Sequence, residues 1–369
     1  MSRRTWWALG AGVMTALVIV VVLALTRTDP EGPGPAEPPA ASEPAEATPD
    51  ATAEPAPTLA GPTPLGEVMP DPMLVFCVAA QLGIGESEPV RQDQLDAVTM
   101  LSCEIPELTD LTGIEHLGNL AVLDLANSGV SDVARLAGLT DLTQLFLTWT
   151  PVTDVAPLAG LTALTHLSLT GTGITDAAPL AGLAALTELN VAGTGIGDVA
   201  ALEGLTALTH LDLSRTSVTD ITPVAALPHL RTLSLWGTGV SDVGPLTAAP
   251  ALTELALGES AVTDITVLAD LTGLSVLHLS DTPVADVAPL SGLIGLTHLY
   301  LGGTEVSDVT ALSRLTNLRS LDLARTDVVD VAPLAGLTNL SRLWLTATPV
   351  TDISPLADLA AGGLEIVGP

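Results

Sequence analysis

From residue 97 onward, leucines recur in the spacing L-x-x-L-x-L. Each cluster is followed by a polar residue, a branched apolar one, an aspartate and a PL…GL segment. Lines begun at Asn119, Asp141, Ala163, Ala185, Ala207, His229, Ala251, Gly273, Gly295, Asn317 and Asn339 align without one gap, each 22 residues after the last. The common pattern is xLxxLxLxxTxVxDVxPLxxLT. Ala97 to Gly118 fits as a degenerate first copy, so residues 97–360 hold twelve copies. The L-x-L alternation predicts a short strand with one buried face. In one copy, Leu164, Leu167 and Leu169 point inward, while the valine and the PL and GL leucines close the core from the other side. No copy can bury its apolar face alone, so the copies must stack. The expected product is a parallel sheet of short strands ~4.8 Å apart, with turns and 3-10 segments behind it.

A period of 20–29 residues with this leucine spacing marks a leucine-rich repeat, an α/β solenoid. The linking sequence DVAPLAGLTALTHL resembles the 22-residue repeats of bacterial internalin-like surface proteins. The resemblance extends to MPDPMLVFCVAAQLGIGESEPVRQDQLDAVTML, which is similar to that family's helical N-terminal cap, and to TDLTGIEHLGNLAVLDL at the start of the array. It covers about residues 69–360, with the cap at 69–96 and an irregular end at 361–369. It implies a curved solenoid whose concave sheet binds a protein partner. Threonine replaces the family's usual asparagine at the turn column. Leu74, Cys77 or Val78, and Leu82 fall on one face of the cap helix, and Cys103 takes an inward strand position in the first coil. A disulfide between Cys77 and Cys103 is one expectation; two packed free thiols are the other.

The segment before the cap has a different pattern. Residues 6–26, Trp6 to Thr26, carry no charge, and at 1.5 Å per residue they match a hydrocarbon core of ~30 Å. Residues 1–5 hold Arg3 and Arg4, and Asp29 and Glu31 soon follow the apolar run. The positive-inside rule then leaves residues 1–5 in the cytoplasm and the repeats outside. A cleaved signal peptide is the competing reading and would give a secreted protein. Residues 28–68 hold eleven prolines between Pro30 and Pro64. Such a segment has little to bury and is expected to act as a disordered spacer.

Composition narrows the partner. Forty-two acidic residues against eleven arginines, with no lysine, give a net charge of −31. That excludes nucleic-acid backbones as ligands, which call for basic patches. No Ser/His/Asp or Cys/His set and no phosphate loop appears, so no catalytic residue and no cofactor is predicted. His166, Glu188 and His210 share one column in successive strands and are zinc-ligand types; a metal-dependent hydrolase built on them is a distant alternative, and a polar stripe of a binding face is the reading adopted. The aspartate column, Asp110 to Asp352, and the threonine column are read as scaffold, bonding backbone groups of the turns.

Aromatic residues make up 2% of the chain. Phe146, Trp149, Trp236, Tyr300 and Trp344 all fall on the strand's outward positions, which are assigned to the concave face. His278, His298, Arg319, Arg325 and Arg342 join them. Interface anchors are enriched in Trp, Tyr and Arg. These ten residues are therefore the candidate partner-binding set, for a protein or peptide ligand or for a cell-wall glycan.

Overall fold

A computed structural model describes residues 57–368 of the chain. The expected membrane span at 6–26 and most of the 28–68 spacer lie outside those residues. Among the described residues no helix is long and apolar enough to cross a membrane.

The cap begins with β1 (Thr63–Pro64), α1 (Leu65–Val68) and α2 (Pro72–Leu82), then β2 (Pro89–Val90), which pairs antiparallel with β1, and α3 (Gln92–Leu95). Local chemistry sets the ends of α2. Asp71 accepts the Met73 N–H at 2.8 Å as N-cap, Pro72 occupies the first turn, and Gly83 closes the helix in the left-handed conformation at φ 68°. Asp71 is buried, and its second oxygen accepts the N–H groups of Thr109 and Asp110, both at 3.1 Å. One carboxylate thus starts the cap helix and ties it to the first coil. A disulfide joins Cys77 of α2 to Cys103 at the start of the array, with Cα atoms 5.7 Å apart.

Thirteen strands follow: β3 (Met100–Ser102), β4 (Val122–Asp124), β5 (Gln144–Phe146), β6 (His166–Ser168), β7 (Glu188–Asn190), β8 (His210–Asp212), β9 (Thr232–Ser234), β10 (Glu254–Ala256), β11 (Val276–His278), β12 (His298–Tyr300), β13 (Ser320–Asp322), β14 (Arg342–Trp344) and β15 (Glu365–Val367). They form one parallel sheet in strictly sequential order. From β3 to β14 each residue pairs with the one 22 positions on, as Leu145 does with Leu167. At the last pair the offset becomes 23, since Arg342 pairs with Glu365. The irregular end therefore still supplies a thirteenth strand, reached through α4 (Ala357–Ala361) and one extra residue.

The core runs continuously from Leu65 in the cap to Leu364. Leu164, Leu167 and Leu169 are all buried, as are their counterparts along the array. Short 3-10 segments such as Ala156–Gly160 and Ala288–Gly292 close the other side. Each begins after the aspartate column. Asp132, Asp154, Asp176 and their counterparts accept the N–H two residues on, at 2.8 Å in these three coils. That geometry is an Asx turn leading into the helix, one residue earlier than a true N-cap. In the threonine column, Thr150, Thr172, Thr194 and Thr216 are buried, and each Oγ1 donates to the carbonyl three residues back at 2.6–2.7 Å. Both columns hold turns, as their position in the repeat predicts.

Candidate binding surface

The strand residues flanking the central leucine point away from the core and are partly exposed in nearly every coil. Phe146, His278, Tyr300 and Trp344 occupy the row after that leucine, in β5, β11, β12 and β14. His298 and Arg342 occupy the row before it, and Arg319 directly precedes β13. Trp236 follows β9 by two residues. Trp149 and Arg325 lie further out, three residues beyond their strands. Trp236, Trp149 and Arg325 are therefore turn residues, a correction to their assignment as outward strand positions.

That turn row has its own backbone rule. Asn127, Trp149, Arg215, Glu259, Asp281, Arg325 and Ala347 all have positive φ between 54° and 60°. Gly171, Gly193, Gly237 and Gly303 fill the same row with φ between 65° and 74°. The conformation lets the ladder run past the strand: Trp149 N–H donates to the Thr170 carbonyl and Arg325 N–H to that of Thr346, each at 2.8 Å. Left-handed backbone is uncommon for residues other than glycine and is strained for a bulky one. Trp149 nevertheless stands there, 64% exposed.

The bare glycines make room for these side chains. A Cβ at Gly171 would fall inside the Trp149 ring, and one at Gly258 would fall inside that of Trp236. Arg325 and Asp281 form an ion pair at 2.9 Å across Gly303, whose missing side chain leaves the gap they close. The two residues lie 44 positions apart, and no motif in the sequence joins them. Two repeats of 22 were the available signal.

Aromatic side chains from separate coils meet. His278 stacks on Tyr300, with ring centroids 4.2 Å apart and planes 7° from parallel. Trp236 meets His278 edge-on at 6.3 Å. Burial, helped by neighbouring His298, pushes the His278 pKa down to about 4, so this ring is neutral near pH 7 and joins the aromatic row as an uncharged member. Burial raises the Asp322 pKa, against the opposing effects of the Ala324 N–H bond and Arg325. Phe146 and Trp149 form a second patch toward the cap, separated from the first by the polar residues of β6 to β8.

The zinc-type trio behaves as polar stripe. His166 Nε2 stands 3.5 Å from Glu188 Oε1, while the Nδ1 atoms of His166 and His210 bond Thr165 and Thr209, each at 2.8 Å. Among the described residues no three His, Cys, Asp or Glu side chains converge on a metal position.

Comparisons with known proteins agree with this architecture. A sequence model described as leucine rich repeats in two copies matches residues 316–358. No curated protein matches the chain by sequence. An internalin (InlF) of Listeria monocytogenes superimposes with a TM-score of 0.77 at 30% identity, over 84% of this chain and 98% of the other. Internalin C2 of the same species gives 0.60 at 36% identity, over 61% of this chain and 100% of its own. The plant peptide hormone receptor RGFR1 in complex with RGF2 shares the fold, with a TM-score of 0.58 at 20% identity over 70% of this chain and 46% of that one. Uninterrupted 22-residue stacking behind a helical cap, matched along almost the whole of a 30%-identical Listeria protein, makes this chain a member of the internalin-like family of bacterial leucine-rich-repeat proteins.

Proposed function

We propose that the protein is a non-enzymatic binding module that holds an extended protein or peptide partner on its concave face. One observation carries the reading: every described aromatic residue except Phe76 stands on the outer strand rows or the adjoining turns. Isolated exposed aromatics are ordinary on a protein surface, whereas their confinement to one face is not. Trp149 adds weight, because strained backbone beneath a largely exposed ring does little for stability, and such strain gathers at functional sites. The fold shared with a peptide hormone receptor in complex with RGF2 supports a peptide-like partner. In this reading residues 6–26 anchor the chain in the membrane or direct its export, and the Pro-rich stretch ahead of β1 lifts the repeats clear of the surface.

The orientation of the rings favours a peptide over a wall glycan. Glycans stack on open aromatic faces. His278 and Tyr300 each lose one face to the other, and their Nε2 and phenolic hydroxyl add hydrogen-bonding groups to the row. Those are hydrogen-bonding groups suited to a polypeptide.

The test is capture from the organism's own proteins and wall fragments by the immobilised chain, beside a Trp149→Ala, Tyr300→Ala, Trp344→Ala variant with unchanged circular dichroism. A polypeptide retained by the parent and lost by the variant is the expected result. Equal retention by both would move the site elsewhere, and retention of glycan alone would replace the peptide reading.

A further inference from the structure

Tyr300, Asp322 and Trp344 stand side by side in the same row of three successive strands, paired Tyr300 to Asp322 and Asp322 to Trp344. His278 covers one face of the Tyr300 ring. The other face looks toward β13, where the row carries the short Asp322 side chain, and Trp344 rises one strand beyond. Two strand spacings separate the tyrosine and tryptophan positions, about 9–10 Å. A planar cationic group over Asp322, midway between these two strand positions, would lie ~5 Å from each, within the ~6 Å over which a cation is attracted to an aromatic face. Asp322 forms the floor. One of its oxygens accepts the Ala324 N–H at 2.8 Å, and Gly302 leaves space beside the other, where a Cβ would sit 2.8 Å from Oδ2.

The surrounding charges leave this carboxylate without a close cation. Arg325, three residues on, is drawn across Gly303 to Asp281. Arg342 pairs with Glu365 at 3.2 Å. Arg319 precedes β13 and is exposed, with no ion pair among the described residues. Burial raises the Asp322 pKa, the response of a carboxylate that has lost water without gaining a full countercharge. The chain as a whole carries −31, and such a field draws cationic partners in.

We infer that the Tyr300–Asp322–Trp344 slot receives a basic side chain, foremost an arginine, of the partner that lies along the concave face. The inference rests on that face being the working surface. An arginine guanidinium fits better than a lysine ammonium because it is planar, stacks on rings and forks onto a carboxylate.

The test uses the full chain and a small probe, N-acetyl-arginine amide, with N-acetyl-citrulline amide as its neutral isostere. Each of the five tryptophans carries one indole N–H, and Trp344→Phe identifies the signal from this slot. The arginine probe is expected to shift the Trp344 signal saturably, at least about five-fold more tightly than citrulline, in keeping with a cation–π contact of ~1 kcal/mol. Asp322→Asn should abolish that preference. The substitution is structurally mild, since Asn190 occupies the same position in β7 and accepts the Ala192 N–H at 3.0 Å in the same way. An unmoved Trp344 signal, equal response to both probes, or a preference that survives Asp322→Asn would each overturn the slot. None of those results would bear on the capture experiment, which tests the concave face by itself.

Discussion

Trp149 stands in the left-handed turn row that follows β5. Its φ of 56° belongs to a row where glycine is the least strained choice, and four coils use glycine there. A tryptophan in that conformation costs on the order of 1 kcal/mol of backbone energy. Its ring lies across Gly171 but remains 64% exposed, so little burial offsets the strain. Trp149→Gly is therefore expected to leave the thermal unfolding midpoint unchanged or slightly higher while weakening partner retention. A clear fall in the midpoint would make the ring structural instead. The row was partly legible in the sequence: Gly171, Gly193, Gly237 and Gly303 share the column, a plain sign of positive φ. Leucine periodicity could assign Trp149 to the outward side, yet could not tell strand from turn, because both follow the same two leucines.

At the scale of the element, most coils are a three-residue strand, a left-handed turn, an Asx turn and a 3-10 segment, replaced by a short α-helical turn at Thr222–Ala225. The leucine spacing predicted the strand, and the aspartate column predicted the turn that starts the helix. Hydroxyl groups tune that turn in some coils. Asp264 Oδ1 accepts both the N–H and the hydroxyl of Thr266, and these bonds, the hydroxyl first, hold its pKa below the ordinary aspartate value. Asp220 with Thr222, Asp308 with Thr310 and Asp352 with Ser354 repeat the arrangement. A carboxylate whose folded pKa is depressed contributes stability that is full above its unfolded value and is lost as pH falls through the folded one. Thr266→Ala should accordingly raise the Asp264 pKa toward 3.8, so that this turn's pH-dependent contribution to stability shrinks. A carboxyl-resolved NMR titration would show it, and an unchanged Asp264 would refute the hydroxyl's role. The contact of Asp71 with Thr109 and Asp110 was not legible, since nothing in MPDP distinguishes an ordinary helix cap from one that also docks the helix onto a coil.

For the whole molecule, stacking turns a repeated sequence into a face. Residues 22 positions apart become neighbours, and residues 44 apart can meet wherever a glycine intervenes, as Asp281 and Arg325 do. The period therefore made the architecture legible, along with the side on which the aromatic residues would gather. Ring orientation, the His278–Tyr300 stack and the slot floored by Asp322 were not, because they depend on rotamers and on the size of the neighbour one coil away. The sheet also explains the division of labour: leucines and turn-forming polar residues are nearly invariant from coil to coil, leaving the outer rows free to differ.

The most direct measurement is the dissociation constant of the captured partner for two paired variants. Tyr300→Ala with Trp344→Ala removes rings from the proposed face. Ile294→Ala with Val329→Ala removes exposed apolar side chains outside the strand and turn rows. The first pair should weaken binding about 30-fold or more, the ~2 kcal/mol of an interface anchor, and the second should stay within about two-fold, as surface substitutions away from a site do. The reverse order, with the Ile294 and Val329 pair abolishing binding and the ring pair sparing it, would contradict the concave face as the working surface.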